Sequence, residues 1–309
     1  METIQGISQF TDTSFNTAVT IGTFDGVHIG HGKILERLIN NAKNAGLKSV
    51  VLTFFPHPRM VLQKDTDIKL LNTLEEKTKI LEAMGLDYLI VHPFTKEFSR
   101  LSATEFVRDI LVNSIKTKKI IIGYDHRFGR NRNANIQDLI SFGNALDFEV
   151  EEIPAQEIND VSVSSTKIRN ALQEGDIVTA NNYLSYPYML TGTVKKGKGL
   201  GKQFGFPTAN LDIAEKYKLI PKNGVYVVKS HWDDKDYFGM MNIGYNPTVS
   251  GKKKSIEINF FEFDGNLYDK KIQVDLLHRI RDEHKFDSVQ ELQEQLKKDR
   301  QTSLDLISS

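Results

Sequence analysis

The chain of 309 residues contains no cysteine, which removes disulfides, thiolate nucleophiles and cysteine-ligated zinc together. Neither charge is in excess, with 40 basic and 40 acidic residues, so the overall field gives no argument for a nucleic-acid or anionic-membrane partner. No run approaches the roughly 18 apolar residues of a spanning helix. The start Met1-Glu2-Thr3-Ile4-Gln5 lacks the basic and apolar regions of an export signal. The expectation is a cytoplasmic protein acting on small molecules, long enough for two domains with a core each. Neither half carries an interface signature that would set an oligomeric state.

What the chain does have is concentrated in short glycine-rich turns. Ala18 to Ile21 reads as a buried strand, and Ile34, Leu35, Leu38 and Ile39 recur at helical spacing. Between them lies Gly22-Thr23-Phe24-Asp25-Gly26-Val27-His28-Ile29-Gly30-His31. Its glycines let backbone approach a ligand closely. The helix behind it aims unpaired N–H groups and a partial positive charge at the same place, which suits polyphosphate. His28 and His31 are spaced to donate hydrogen bonds to charge developing on phosphate oxygens.

Downstream, strand-like and helix-like segments alternate. Lys48 to Phe54, Tyr88 to Val91, Lys119 to Gly123 and Phe148 to Ile153 read as strands. Capping-box spacings at Thr73 to Glu76 and Ser102 to Glu105 open helices, and Ile136 to Ala145 adds another. This order predicts an α/β, Rossmann-like, doubly wound parallel sheet with its ligand at the carboxyl ends of the strands. Two polar stretches follow in that half. Gly123-Tyr124-Asp125-His126-Arg127-Phe128-Gly129-Arg130 is either a solvated loop or part of a site, with Asp125 as its acidic group. Val163-Ser164-Ser165-Thr166-Lys167-Ile168-Arg169 sets three hydroxyl residues before a helix, with Lys167 and Arg169 able to neutralise phosphate. An ordinary helix cap with surface bases is the alternative.

Around Asn181 to Tyr188 the pattern changes to short strands separated by glycine-rich turns, which gives an expected division into domains 1–184 and 185–309. Tyr188 to Val194, Gly224 to Val228, Tyr237 to Asn242, Ser255 to Phe263 and Lys271 to Leu277 predict a small closed antiparallel β-barrel of five or six strands. A capping-box spacing at Ser288 to Glu291 opens a C-terminal helix. The loop Gly197 to Asn210 contains Gly199, Lys202 and Phe206 and ends in Pro207-Thr208-Ala209-Asn210. Pro207 stiffens the chain before Thr208 and Asn210, whose oxygens are hard ligands suited to magnesium and phosphate. In Ser255-Ile256-Glu257-Ile258-Asn259-Phe260, alternation turns Glu257 away from Ile256 and Ile258, as a surface acid or as a base. Lys252-Lys253-Lys254 reads as a solvated hairpin tip.

His28-Ile29-Gly30-His31 matches the signature of the nucleotidylyltransferase superfamily, and the Gly22 to Gly26 prefix resembles its branch that adenylates FMN. The Pro-Thr-Ala-Asn loop closely resembles that of riboflavin kinases. With its motifs in the family's order, the whole chain resembles the bacterial bifunctional riboflavin kinase and FAD synthetase family. The resemblance implies that the C-terminal domain transfers the γ-phosphate of ATP to riboflavin, giving FMN. The N-terminal domain would then join FMN to a second ATP, giving FAD and pyrophosphate, both steps using Mg2+.

The resemblance further implies catalytic roles for His28 and His31, for Arg169 on the leaving pyrophosphate, and for Glu257 as the base. ATP contacts would come from Gly22, Phe24, Asp25, Gly30, Asp125, Ser164, Ser165 and Thr166 in the first domain. In the second they would come from Gly199, Lys202, Phe206, Thr208 and Asn210, with the metal held by Thr208 and Asn210. Flavin contacts would come from Pro56, His57 and Pro58, and from Arg281 and Phe286, the last equally suited to anchor the C-terminal helix. Three positions depart from the family pattern: Phe55 in place of a glutamate, His126 in place of another aromatic residue, and Asp269 in place of a glycine. They leave two alternatives open, a single retained activity, of which the kinase is favoured, or a flavin-binding regulator without turnover.

Overall fold

The computed structural model describes residues 1–11, 14–63, 67–124, 126–154, 163–197, 201, 205–248 and 251–308. They group into two units, Met1–Ser164 and Ser165–Ser309.

In the first unit, six strands form one parallel sheet. They are β1 (Glu2–Gln5), β2 (Thr17–Ile21), β3 (Lys48–Phe54), β4 (Tyr88–His92), β5 (Thr117–Gly123) and β6 (Glu149–Ile153), in the order β1-β4-β3-β2-β5-β6. β2 is buried at every residue, because alternate side chains feed two different cores. Val19 and Ile21 join Val50, Leu52, Ile120 and Phe106 on one face. Ala18 joins Val51, Leu89, Ile121, Leu35 and Leu38 on the other. The covering helices are α1 (Ile29–Ala45), α2 (Pro58–Leu62), α3 (Leu74–Ala83), α4 (Ala103–Glu105) and α5 (Ile136–Leu146). The two expected capping boxes are both made, Thr73 with Glu76 and Ser102 with Glu105. The second opens only one turn of α-helix before the chain widens into a π-helix, Phe106–Ser114. The strand order reverses at β2, between β3 and β5, so the loops leaving β2 and β5 flank the crevice where doubly wound sheets bind ligands.

In the second unit, α6 (Ser165–Glu174) and α7 (Ile177–Leu184) precede β7 (Tyr188–Lys195), β8 (Ala209–Asp212), β9 (Gly224–Trp232), β10 (Lys235–Thr248), β11 (Gly251–Phe260) and β12 (Lys271–Arg281). These strands close into an antiparallel barrel in the order β10-β11-β8-β7-β12-β9. The last element is α8 (Val289–Ser308). α6 and α7 are tied to the barrel by hydrogen bonds. Lys222 N–H donates to the Leu172 carbonyl at 3.0 Å, and the Asn181 amide spans from the Leu276 carbonyl at 2.9 Å to the Tyr188 N–H at 2.7 Å. β8 has no counterpart among the strands read from sequence: four residues inside a turn-rich loop are too few to show alternation.

Candidate active sites

β2 ends at Ile21, and the chain passes through Gly22 to His28 before α1 begins. This turn is strained. Phe24, Gly26 and Val27 have φ of 45°, 89° and 36°, and left-handed backbone costs a non-glycine residue about 1–2 kcal/mol. Hydrogen bonds fasten it. Gly22 N–H donates to Leu52 O at 3.1 Å and Val27 N–H to Phe24 O at 3.2 Å. The buried Asp25 accepts the Leu71 N–H at 2.9 Å, and Lys77 of α3 donates to Thr23 O at 2.6 Å. A Cβ at Gly22 would stand 3.0 Å from the Phe24 ring and would press it aside by a few tenths of an ångström.

His28 caps α1, its Nδ1 accepting the His31 N–H at a long 3.4 Å. The two imidazoles stack with centroids 3.7 Å apart, and the His31 ring meets that of Phe24 edge to face at 5.2 Å. Burial lowers His28 to a pKa of about 4. Burial also holds His31 well below the usual histidine value, with repulsion from His28 and Lys77 adding to it. Both rings are therefore neutral near pH 7. A neutral imidazole that accepts at Nδ1 carries its proton on Nε2, so His28 presents a donor there. Phe24 and Asp25, expected as ATP contacts, are both buried: Phe24 packs in the core and Asp25 holds the Leu71 amide.

Gly22 and Thr23 also line a cavity of about 360 Å³ with an aromatic wall. Phe54 meets Phe94 and Phe98 at 5.7 and 5.4 Å, and Phe106 meets Phe98 and Phe128 at 6.2 and 6.1 Å. His126, Arg127 and Arg132 complete one side of it. Apart from Phe128, which lies in the Gly123 to Arg130 stretch, none of these phenylalanines stood out in the sequence, because they come from separate strands, loops and the π-helix. Of the Pro56-His57-Pro58 motif, only Pro58 reaches the cavity. His57 instead caps α2, accepting the Arg59 N–H at 3.1 Å. Phe55 packs against the core beside α1, and His126 lies near-parallel to Phe128 at 6.2 Å, keeping a flat ring on that wall.

In the barrel, Thr208, Glu257, Arg281, Phe286 and Phe206, all singled out from sequence, line one cavity of about 310 Å³. Asn242, Asn259, Glu283, His284 and Asp299, which were not, line it too. Register explains the convergence: Glu257 of β11 stands opposite Asn210 of β8 on one side and Asn242 of β10 on the other. Asn259 donates to Pro207 O at 2.8 Å, fixing the segment that carries Thr208. The Asn210 carboxamide occupies the space a Cβ at Gly197 would take, so a side chain there would displace that carboxamide. Arg281 forms a fork with Asp299 of α8, Nε to Oδ1 at 2.9 Å and Nη2 to Oδ2 at 2.7 Å, and a third N–H goes to Asp282 O. Its guanidinium lies 5.9 Å from the Phe286 ring. A second cavity, about 300 Å³, is lined by Pro207, Thr208 and Ala209 together with Phe263 to Tyr268. Thr208 lines both.

Asp125, Gly199 and Lys202 lie outside the described residues. Ser165 and Thr166 fall inside the first turn of α6 rather than before it, with Arg169 one turn further along. Asp269, where the family pattern has glycine, adopts φ 62° and pairs with Lys195 at 3.1 Å. The turn keeps a conformation that aspartate tolerates better than most residues. Among the described residues, no group of three or more His, Cys, Asp or Glu side chains could hold a metal ion. No helix among them is long and apolar enough to cross a membrane.

The family model described as FAD synthetase matches residues 11–167, and that described as riboflavin kinase matches 184–307. A bifunctional riboflavin kinase/FMN adenylyltransferase of Buchnera aphidicola is 38% identical over 97% of this chain and 96% of its own length. Proteins of the same description from Listeria monocytogenes and Bacillus subtilis are 37% and 36% identical, over 94% and 95% of this chain and 92% and 93% of theirs. A solved structure from Streptococcus pneumoniae, described as a macrolide-efflux protein, is 31% identical with a TM-score of 0.88, covering 98% of this chain and 99% of that one.

Proposed function

Because the chain belongs to the family of bifunctional riboflavin kinases/FMN adenylyltransferases, we propose a division of its residues between the two reactions. It phosphorylates riboflavin to FMN and adenylates FMN to FAD, with ATP as the co-substrate of both. We take 1–184 as the adenylyl-transfer domain and 185–309 as the kinase, working in the cytoplasm, where ATP is held.

The observation that carries the kinase assignment is Thr208, a wall of both barrel cavities. Riboflavin enters the cavity with Glu257, Arg281 and Phe286, and ATP the neighbouring one, so the γ-phosphate changes hands beside Thr208. Glu257 takes the proton of the ribityl 5′-hydroxyl as its oxygen bonds to the γ-phosphorus, and the bond to the β–γ bridging oxygen breaks to release ADP. A positioned base contributes about 10²–10⁴ in rate. The Thr208 hydroxyl and Asn210 carboxamide offer two hard oxygens and no acid cluster, a set that fits Mg2+, which keeps several waters and binds largely through phosphates. When bound, the ion neutralises charge on the transferring phosphate.

In the first domain, FMN lies against the Phe54, Phe98 and Phe106 wall, and its phosphate attacks the α-phosphorus of ATP. Nε2–H of His28 and the His31 ring donate to the charge that develops there, aided by the N-terminus of α1. As pyrophosphate departs, Arg169 offsets its charge. Incubation with riboflavin, ATP and magnesium, followed by flavin chromatography, tests the whole reading; FMN without FAD, or neither, overturns it. Glu257→Ala should abolish FMN formation and spare FAD formation from supplied FMN. His31→Ala and Arg169→Ala should do the reverse.

A further inference from the structure

Lys77 is charged, buried and aimed away from solvent, yet belongs to none of the motifs above. It stands in the first turns of α3, 8% exposed. Its ammonium reaches Thr23 O at 2.6 Å, with the Thr53 hydroxyl on the same carbonyl at 3.4 Å. The next residue is Phe24, at φ 45°, whose ring meets the edge of His31. Nδ1 of His31 is enclosed and has no hydrogen-bond partner among the described residues. Ring contacts with His28 and Phe24 therefore orient it, and Phe24 is only as well placed as the turn that carries it. We infer that Lys77 is a positioning residue for adenylyl transfer: it ties the strained Thr23–Val27 turn to α3 and so holds Phe24 against His31.

A strained turn persists only when its surroundings over-determine it. Here the restraint comes from both sides of Phe24. Lys77 holds the carbonyl before it, and Asp25 holds the Leu71 amide just ahead of α3. The segment is itself fixed, since the buried Glu76 and Thr73 close their capping box at 2.9 and 3.1 Å. The titratable groups that interact with the ammonium are Asp25 of the turn and His31 of α1. Burial brings Lys77 down to about 8 while Asp25 pulls it up, so it is mostly cationic at neutral pH. That charge opposes protonation of His31. The role has two parts, geometric through Thr23 O and electrostatic at His31, and both vanish in Lys77→Met, whose side chain matches lysine's in length up to Cε and lacks the ammonium.

This inference rests on the assignment of FAD formation to His28 and His31, and the test separates the two. In the full-length protein, Lys77→Met should lower kcat for FAD formation from FMN at least about tenfold, with KM for ATP and FMN within about threefold. The His31 pKa, followed by NMR, should rise, and FMN formation from riboflavin should stay at the wild-type rate. Lys77→Arg, which retains the charge, should keep about a third or more of the wild-type kcat. Unchanged kcat in Lys77→Met overturns the inference. So does a loss carried by KM, a loss with no movement of His31, or a loss equally deep in Lys77→Arg. If His31→Ala still makes FAD at the wild-type rate, the site assignment fails instead.

Discussion

A neutral imidazole can donate a hydrogen bond from a buried place without the desolvation cost of a charge, and burial makes His28 and His31 such donors. His28, with its folded pKa near 4 against an ordinary 6.5, sets the direction of the pH dependence. The unfolded chain takes up this proton first as pH falls. Its stability contribution is therefore whole above pH 6.5 and is lost as pH drops toward 4. The loss approaches about 3 kcal/mol. Thermal melts should show the first domain weakening across that window, and less so in His28→Gln. The rate of FAD formation should in turn show no histidine inflection between about pH 5.5 and 7. The sequence exposed this pair plainly, because a rare tetrapeptide marks it. It could not expose Lys77, an ordinary residue of an ordinary helix until folding brings it beneath Thr23.

At the scale of elements, the barrel cavity depends on α8 as much as on strands. Asp299, whose side chain is 2% exposed, grips Arg281 through two of its donors, and Gln295 and Ser303 on the same helix bond to Asp299. Removing one member of a fully buried ion pair strands the other at about 3–5 kcal/mol, and the cost here is smaller because the Arg281 side chain is 22% exposed. Asp299→Ala should lower the melting temperature of the barrel and raise KM for riboflavin, leaving FAD formation from supplied FMN unchanged. Strands with clear alternation or strong β-branching, such as Lys48–Phe54, were legible in sequence to the residue. β1, with one buried side chain, β8, with four residues, and the π-helix after Glu105 were not. Each is defined by its partners and not by its own periodicity.

For the whole molecule, an FAD synthetase match over 11–167 and a riboflavin kinase match over 184–307 imply two separable activities. An equimolar mixture of Glu257→Ala and His31→Ala proteins should convert riboflavin to FAD, although neither does so alone. The His31→Ala protein supplies FMN that the other adenylates; no FAD from the mixture would mean that FMN does not pass between molecules.

By itself the sequence determined both fold classes and the family and pointed to candidate phosphate-handling residues, because glycine turns, histidine pairs and helix caps act locally and leave contiguous signatures. Only the tertiary structure decided which residues share a cavity. Strand register set Glu257 opposite Asn210, sheet order gathered scattered phenylalanines into one wall, and the docking of α3 put a buried lysine behind the histidines. Those are contacts between distant segments, and they exist only once the chain has closed its cores.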